Sequence, residues 1–304
     1  MKYLAMVILA SSLLAQPIYA CNMCGCSSGN QYIGLLPQNS KSFVGLQYIY
    51  RSFSSIAHAD DNTAMQESSR EYYHTAQLWT RANIGKRWQV LAFVPFMYNR
   101  QQQQYMTTET SGLGDISVIG NYNLINTGTC ACQHKLFAGG GIKLPTGKYD
   151  PASVTEDGLP NMQPGTHSWD FITNVNYTIR YNAAGINTDA SYVITTANPD
   201  NYKFGNRLSI GATAFYEYTF KKLSVIPQAG IRHDRVAKDY EDYTAREKDE
   251  DGGGWQLYAT QGVQLYYRRL GFQAMCYEPI SQHYASGMVN TRLRVESGIV
   301  LLMK

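Results

Sequence analysis

After its first twenty residues the chain has no long apolar run. A helix crossing a bilayer needs about 20 such residues, so a helical membrane protein is excluded. Charge of one sign is also scarce. Lys plus Arg number 26 and Asp plus Glu 23, and removing Lys2 with the first segment leaves a balance of +2. That is too weak for a nucleic-acid partner. No Gly-x-Ser-x-Gly elbow is present, which argues against a serine hydrolase of that type. His167 and Ser168 are strand neighbours whose side chains point to opposite faces, so they do not form a nucleophile–base pair. The acidic loop 236–251 lacks the spacing of an EF-hand and reads as a solvated loop. No fixed-length repeat supports a solenoid. The chain is expected to be neither an enzyme nor dependent on a cofactor.

What is present begins with a targeting segment. Met1-Lys2, the apolar stretch Leu4–Leu14, Gln16-Pro17 and Ala20 follow the order of a secretory signal peptide. Residues 1–20 are read as removed. Ile18-Tyr19-Ala20-Cys21 also resembles a lipoprotein cleavage box, with Tyr19 where a small residue is usual. Residues 21–40 form a cysteine-rich segment without strand alternation, either a plug or a periplasmic leader.

Beyond residue 40 the pattern has period two. Leu208, Ile210, Ala212, Ala214, Tyr216, Tyr218 and Phe220 alternate with Ser209, Gly211, Thr213, Phe215, Glu217 and Thr219. Such alternation marks a half-buried strand. The runs often reach ten residues or more, against about 5–6 in soluble sheets and about 9–11 in a tilted membrane strand. About twelve segments fit the alternation template, near 41–54, 71–84, 87–102, 112–125, 134–145, 167–180, 184–197, 206–220, 222–235, 254–267, 270–282 and 290–302. Short connections alternate with long polar ones at 55–70, 146–166, 198–205 and 236–253. Lipid offers no partner for a sheet edge, so the sheet must close. The expected fold is all-β: a closed antiparallel transmembrane β-barrel over residues 41–304. Short turns face the periplasm and long loops face outward. The 24 tyrosines suit strands and the interface between lipid and water. The ending Leu301-Leu302-Met303-Lys304 departs from the aromatic terminus of many such barrels.

Gly112-Leu113-Gly114-Asp115-Ile116, Gly141-Ile142-Lys143-Leu144-Pro145-Thr146-Gly147 and Tyr277-Glu278-Pro279-Ile280 occur in an order and spacing that resembles the outer-membrane family named for the meta-pathway of phenol degradation. That family is similar to channels for fatty acids and aromatic hydrocarbons. The resemblance implies a barrel in the cell outer membrane with a transport-like role. Its partners would be membrane lipid and a small, even hydrophobic, solute. It does not imply phenol as substrate.

Two sets of residues stand out as candidate sites. Charge at mid-depth on a lipid face costs about 2–4 kcal/mol, so Arg51, Arg81, Asp115, Lys143, Asp170, Asp189, Arg207, Glu217, Arg232, Arg292, Arg294 and Glu296 are expected to face the lumen. They would line a channel or form an ionic network that fills it. Twelve strands enclose more space than the eight that side chains fill, which favours the channel. The second set is Cys21, Cys24, Cys26, Cys130 and Cys132, gathered at the periplasmic end. An oxidising periplasm favours disulfides. Thiolates with nearby Met23 and His134 would alternatively suit copper or zinc. On that reading the barrel handles a soft metal. A third reading is a structural barrel that docks a partner at either face, a periplasmic one included.

Overall fold

The computed structural model describes residues 41–56, 68–129, 131–150, 160–248 and 252–303. The expected signal peptide, the segment 21–40, and Cys21, Cys24, Cys26 and Cys130 lie outside the described residues. No α-helix occurs among the described residues. Twelve strands close into one antiparallel barrel. They are β1 (Phe43–Ile56), β2 (Ser68–Ile84), β3 (Trp88–Gln102), β4 in two parts (Thr107–Leu113 and Ser117–Gly128), β5 (Cys132–Lys143) and β6 (Asp170–Tyr181). The second half has β7 (Ala184–Thr195), β8 in two parts (Arg207–Tyr216 and Tyr218–Phe220), β9 (Leu223–Val236), β10 (Gly254–Tyr267), β11 (Leu270–Tyr284) and β12 (Val289–Leu302). Each strand pairs with the next, and β12 pairs with β1.

Closure is staggered. Following directly opposed residues from Phe43 leads through Arg81, Leu91, Ile119, Gly141, Ile172, Val193, Arg207, Val236, Gly254, Tyr284 and Val289. The path returns to β1 at Ser55, not Phe43. Strands with such an offset must tilt against the barrel axis.

The alternation read from sequence is the inside–outside pattern of the wall. On β2 the odd positions from Ser69 to Arg81 are buried, while Leu78 is 46% exposed. Leu46, Phe96, Phe171, Ile186, Ile210, Ile231, Phe272 and Ile299 are likewise exposed. An apolar outer surface of this kind is stable only in lipid. Tight turns at the short-loop end use left-handed residues, with Lys221 at φ 52° and Arg268 at φ 55°, as two-residue hairpins require.

β4 departs from the expected single run at 112–125. It starts earlier and breaks at Gly114-Asp115-Ile116. Pro95 on β3 lies opposite the break and has no N–H for the ladder. Its carbonyl instead accepts a bond from the Gly114 N–H. The break releases Asp115 from the sheet and buries its side chain.

Candidate functional site: a latched segment across the lumen

Residues 160–168 leave the long loop between β5 and β6 and enter the outer mouth of the barrel. Every residue from Pro160 to Thr166 is buried. Met162, only 2% exposed, packs with Phe53, Tyr73, Tyr284, Ala285 and Val289, which belong to β1, β2, β11, β12 and the turn between the last two. Its carbonyl accepts bonds from Asn99 Nδ2 on β3 at 2.9 Å and from the Thr110 hydroxyl on β4. The segment therefore contacts a continuous arc of the wall from β11 through β1 to β4.

Its anchor is an ionic cluster at the break in β4. Lys143 Nζ lies 3.1 Å from Asp115 Oδ2 and 2.7 Å from Asp170 Oδ2. It also donates to Thr166 Oγ1 at 2.5 Å. Thr166 donates to Asp115 Oδ2 twice, from its backbone N–H at 2.9 Å and its hydroxyl at 2.7 Å. Asp115 Oδ1 accepts from the Gly147 N–H at 2.9 Å. The backbone adds the Gly165 N–H to Lys148 O and the Lys148 N–H to Leu113 O. A methyl group on Gly147 would lie 2.5 Å from the Gly165 Cα, so this approach needs glycine on both sides. The two motifs Gly112–Ile116 and Gly141–Gly147 are thus adjacent in space and together hold the inward segment.

A second cluster lies on β7, β9 and β12. Arg232 meets Asp189 at 2.7 Å and Asp234 at 3.9 Å. Arg294 meets Asp234 at 3.2 Å and Glu296 at 2.7 Å, with its guanidinium 4.4 Å from the Tyr277 ring centre. Ser209 donates to Asp234 at 2.6 Å.

Of the twelve residues expected inward, Arg81, Asp115, Lys143, Asp170, Asp189, Arg207, Arg232, Arg294 and Glu296 are buried. Arg51 and Glu217 are half-buried, and Glu217 pairs with Arg180 at 2.6 Å. Arg81 donates to the Lys41 carbonyl at the short-turn end, apart from both clusters. Arg292 departs from the set. Ser52 opposes Leu293 and Phe53 opposes Thr291, so Arg292 is the extra residue of a β-bulge and is exposed. Alternation fails at a bulge because one residue goes unpaired.

Several buried groups escaped the sequence reading. Glu71 accepts from Tyr73 OH at 2.8 Å and Gln101 Nε2 at 3.3 Å. It shares Arg81's parity on β2, and Asp234 shares Arg232's on β9; that signal would have found both. Nothing in the pattern marked Thr166 or Met162. Among the cysteines, Cys132 and Cys276 form no disulfide among the described residues. Cys132 Sγ contacts His134 Nε2 at 3.4 Å. No group of three metal-ligating residues occurs among the described residues.

The profile of the family described as "Putative MetA-pathway of phenol degradation" matches residues 60–265. No curated protein matches the sequence. The fold is similar to a crystal structure of an outer-membrane channel from Pseudomonas putida F1. The TM-score is 0.64 at 12% identity, covering 86% of this chain and 96% of that one. The transport unit of the autotransporter AIDA-I from Escherichia coli is more distant, with a TM-score of 0.49 at 9% identity over 99% and 97% of the two chains.

Proposed function

Because the chain belongs to the outer-membrane barrel family described as the putative MetA-pathway of phenol degradation, we propose that it is a narrow channel for passive passage of small molecules, with its constriction formed by residues 160–168. The carrying observation is Met162, outside the sheet, buried inside the outer mouth against β1, β2, β11 and β12. A bore limited in this way passes only small solutes, driven by their own gradient. Charged side chains of both signs, including Arg51, Asp189, Arg207, Arg232, Arg294 and Glu296, line the passage below it. Asn99 Oδ1, Ser117 Oγ, Asn174 Oδ1, Gln228 Oε1 and Thr260 Oγ1 are buried without a protein partner among the described residues. Buried polar atoms call for water, and interior atoms of this kind favour a hydrated path. Residues 1–20 serve as the export signal on this reading.

One observation favours the structural-barrel reading. Inward side chains on nearly every strand are buried, so the interior is closely filled despite its twelve strands. Planar-bilayer recording separates the two. Wild type should show small discrete conductance steps, and Met162→Ala should enlarge them. Absence of conductance in both proteins, with folding verified by heat-modifiable migration, would overturn the channel reading.

A further inference from the structure

The lumen accounts for the inward side chains but not for a band of outward ones at the long-loop end of β7 to β11. There Tyr192 opposes Leu208, Leu208 opposes Arg235, Arg235 opposes Trp255, and Trp255 opposes His283. This row crosses five strands on the outer surface. With Lys238 and Ser286 it lines an open cavity of about 760 Å³ with no carboxylate among the described residues. Arg235 and His283 are exposed.

One row nearer mid-barrel, Ile210, His233 and Leu257 stand in register. They border a second groove of about 400 Å³ whose other walls include Val175, Ala190, Ala212 and Ile231. Small side chains at Ala190 and Ala212 leave this trough in an otherwise bulky apolar face. His233 lines both hollows, so a cationic pocket at the outer rim continues into an apolar groove running down the wall.

We propose that this surface binds a bisphosphorylated glycolipid of the outer leaflet. The guanidinium fork of Arg235 matches a phosphate, with Lys238, His283 and Ser286 as further donors. Trp255 and Tyr192 offer flat, amphipathic faces at the height where lipid meets water. The groove below takes an acyl chain. A free phosphate would use only the upper pocket, so the groove argues for a lipid. A zwitterionic phospholipid brings its own ammonium, which meets no carboxylate among the described residues of this pocket.

The test is native mass spectrometry of the detergent-solubilised full chain, titrated with bisphosphoryl lipid A, monophosphoryl lipid A or phosphatidylethanolamine. Wild type should retain the bisphosphoryl form best. The double variant Arg235→Ala/His283→Ala should lower retention by roughly tenfold. Ala212→Trp, which fills the groove without touching the cations, should also lower it. Arg87→Ala, at the opposite end, should not. Heat-modifiable migration verifies folding of each variant. Unchanged retention in the double variant, or in Ala212→Trp, overturns the proposal. So does equal retention of phosphatidylethanolamine.

Discussion

The two buried ionic clusters use the same groups for different ends. The Asp115–Lys143–Asp170 cluster joins the wall to a segment outside the sheet, through Thr166. The Asp189–Arg232–Asp234–Arg294–Glu296 cluster joins wall to wall. A buried ion pair gives little net stability, because desolvation offsets attraction, but removing one partner is costly. What each cluster provides is therefore position. The first fixes how far the inward segment stands across the mouth. The second fixes the shape of the wall that faces it. A salt bridge in a barrel is informative only once its two ends are located.

Separating these roles is the purpose of the largest expected effect. Lys143→Met leaves Asp115 and Asp170 buried without their cation, at a cost of about 3–5 kcal/mol. That loss should fall on the inward segment. Trypsin should cut after Lys148 in folded protein in liposomes, and conductance steps should grow. Arg294→Met is the counterpart. Asp234 keeps Arg232 and Ser209 and Glu296 keeps the Gln47 amide at 3.3 Å, so the loss should be smaller, about 2–3 kcal/mol. It should lower the urea midpoint of the barrel without opening the backbone at Lys148 to trypsin. If Arg294→Met also brings tryptic cutting at Lys148, the two clusters act as one and the distinction fails.

The sequence carried the wall well and the latch hardly at all. Period-two alternation is imposed by a wall with lipid on one side, so strand number and inward parity follow from it at Arg81, Lys143, Asp170 and Arg232 alike. It fails where the ladder fails. Arg292 sits at a bulge, and the break at Gly114–Ile116 follows from Pro95 on a neighbouring strand. The inward segment 160–168 has no period, because its partners lie on distant strands: Asn99, Thr110 and Asp115. The motifs at 112–116 and 141–147 are visible as strings. Only their closeness in space shows that they hold a loop.

A middle-sized effect probes the latch without touching charge. Gly147→Ala places a methyl group 2.5 Å from the Gly165 Cα, and backbone on both sides cannot yield cheaply. Overpacking of this kind costs about 1–3 kcal/mol. The loop should shift while the barrel's urea midpoint stays near that of wild type. Tryptic cutting at Lys148 should rise, though less than in Lys143→Met. Equal midpoint loss and no new cutting would place Gly147 in the barrel's own stability.

The smallest effect is expected where an ion pair meets water. Arg180 and Glu217 lie 2.6 Å apart, with side chains 28% and 20% exposed. Glu217 also accepts from Ser224 Oγ, so it keeps a partner when Arg180 is removed. Pairs reached by solvent contribute about 0–1 kcal/mol. Arg180→Gln should therefore shift the urea midpoint little, and the shift should shrink further as salt is raised, since screening acts on pairs that solvent reaches. Lys143→Met should show no such salt dependence. A large, salt-independent loss in Arg180→Gln would mean that the short-turn end of the barrel is as dry as the latch, and that burial, not location, sets the rank of these ion pairs.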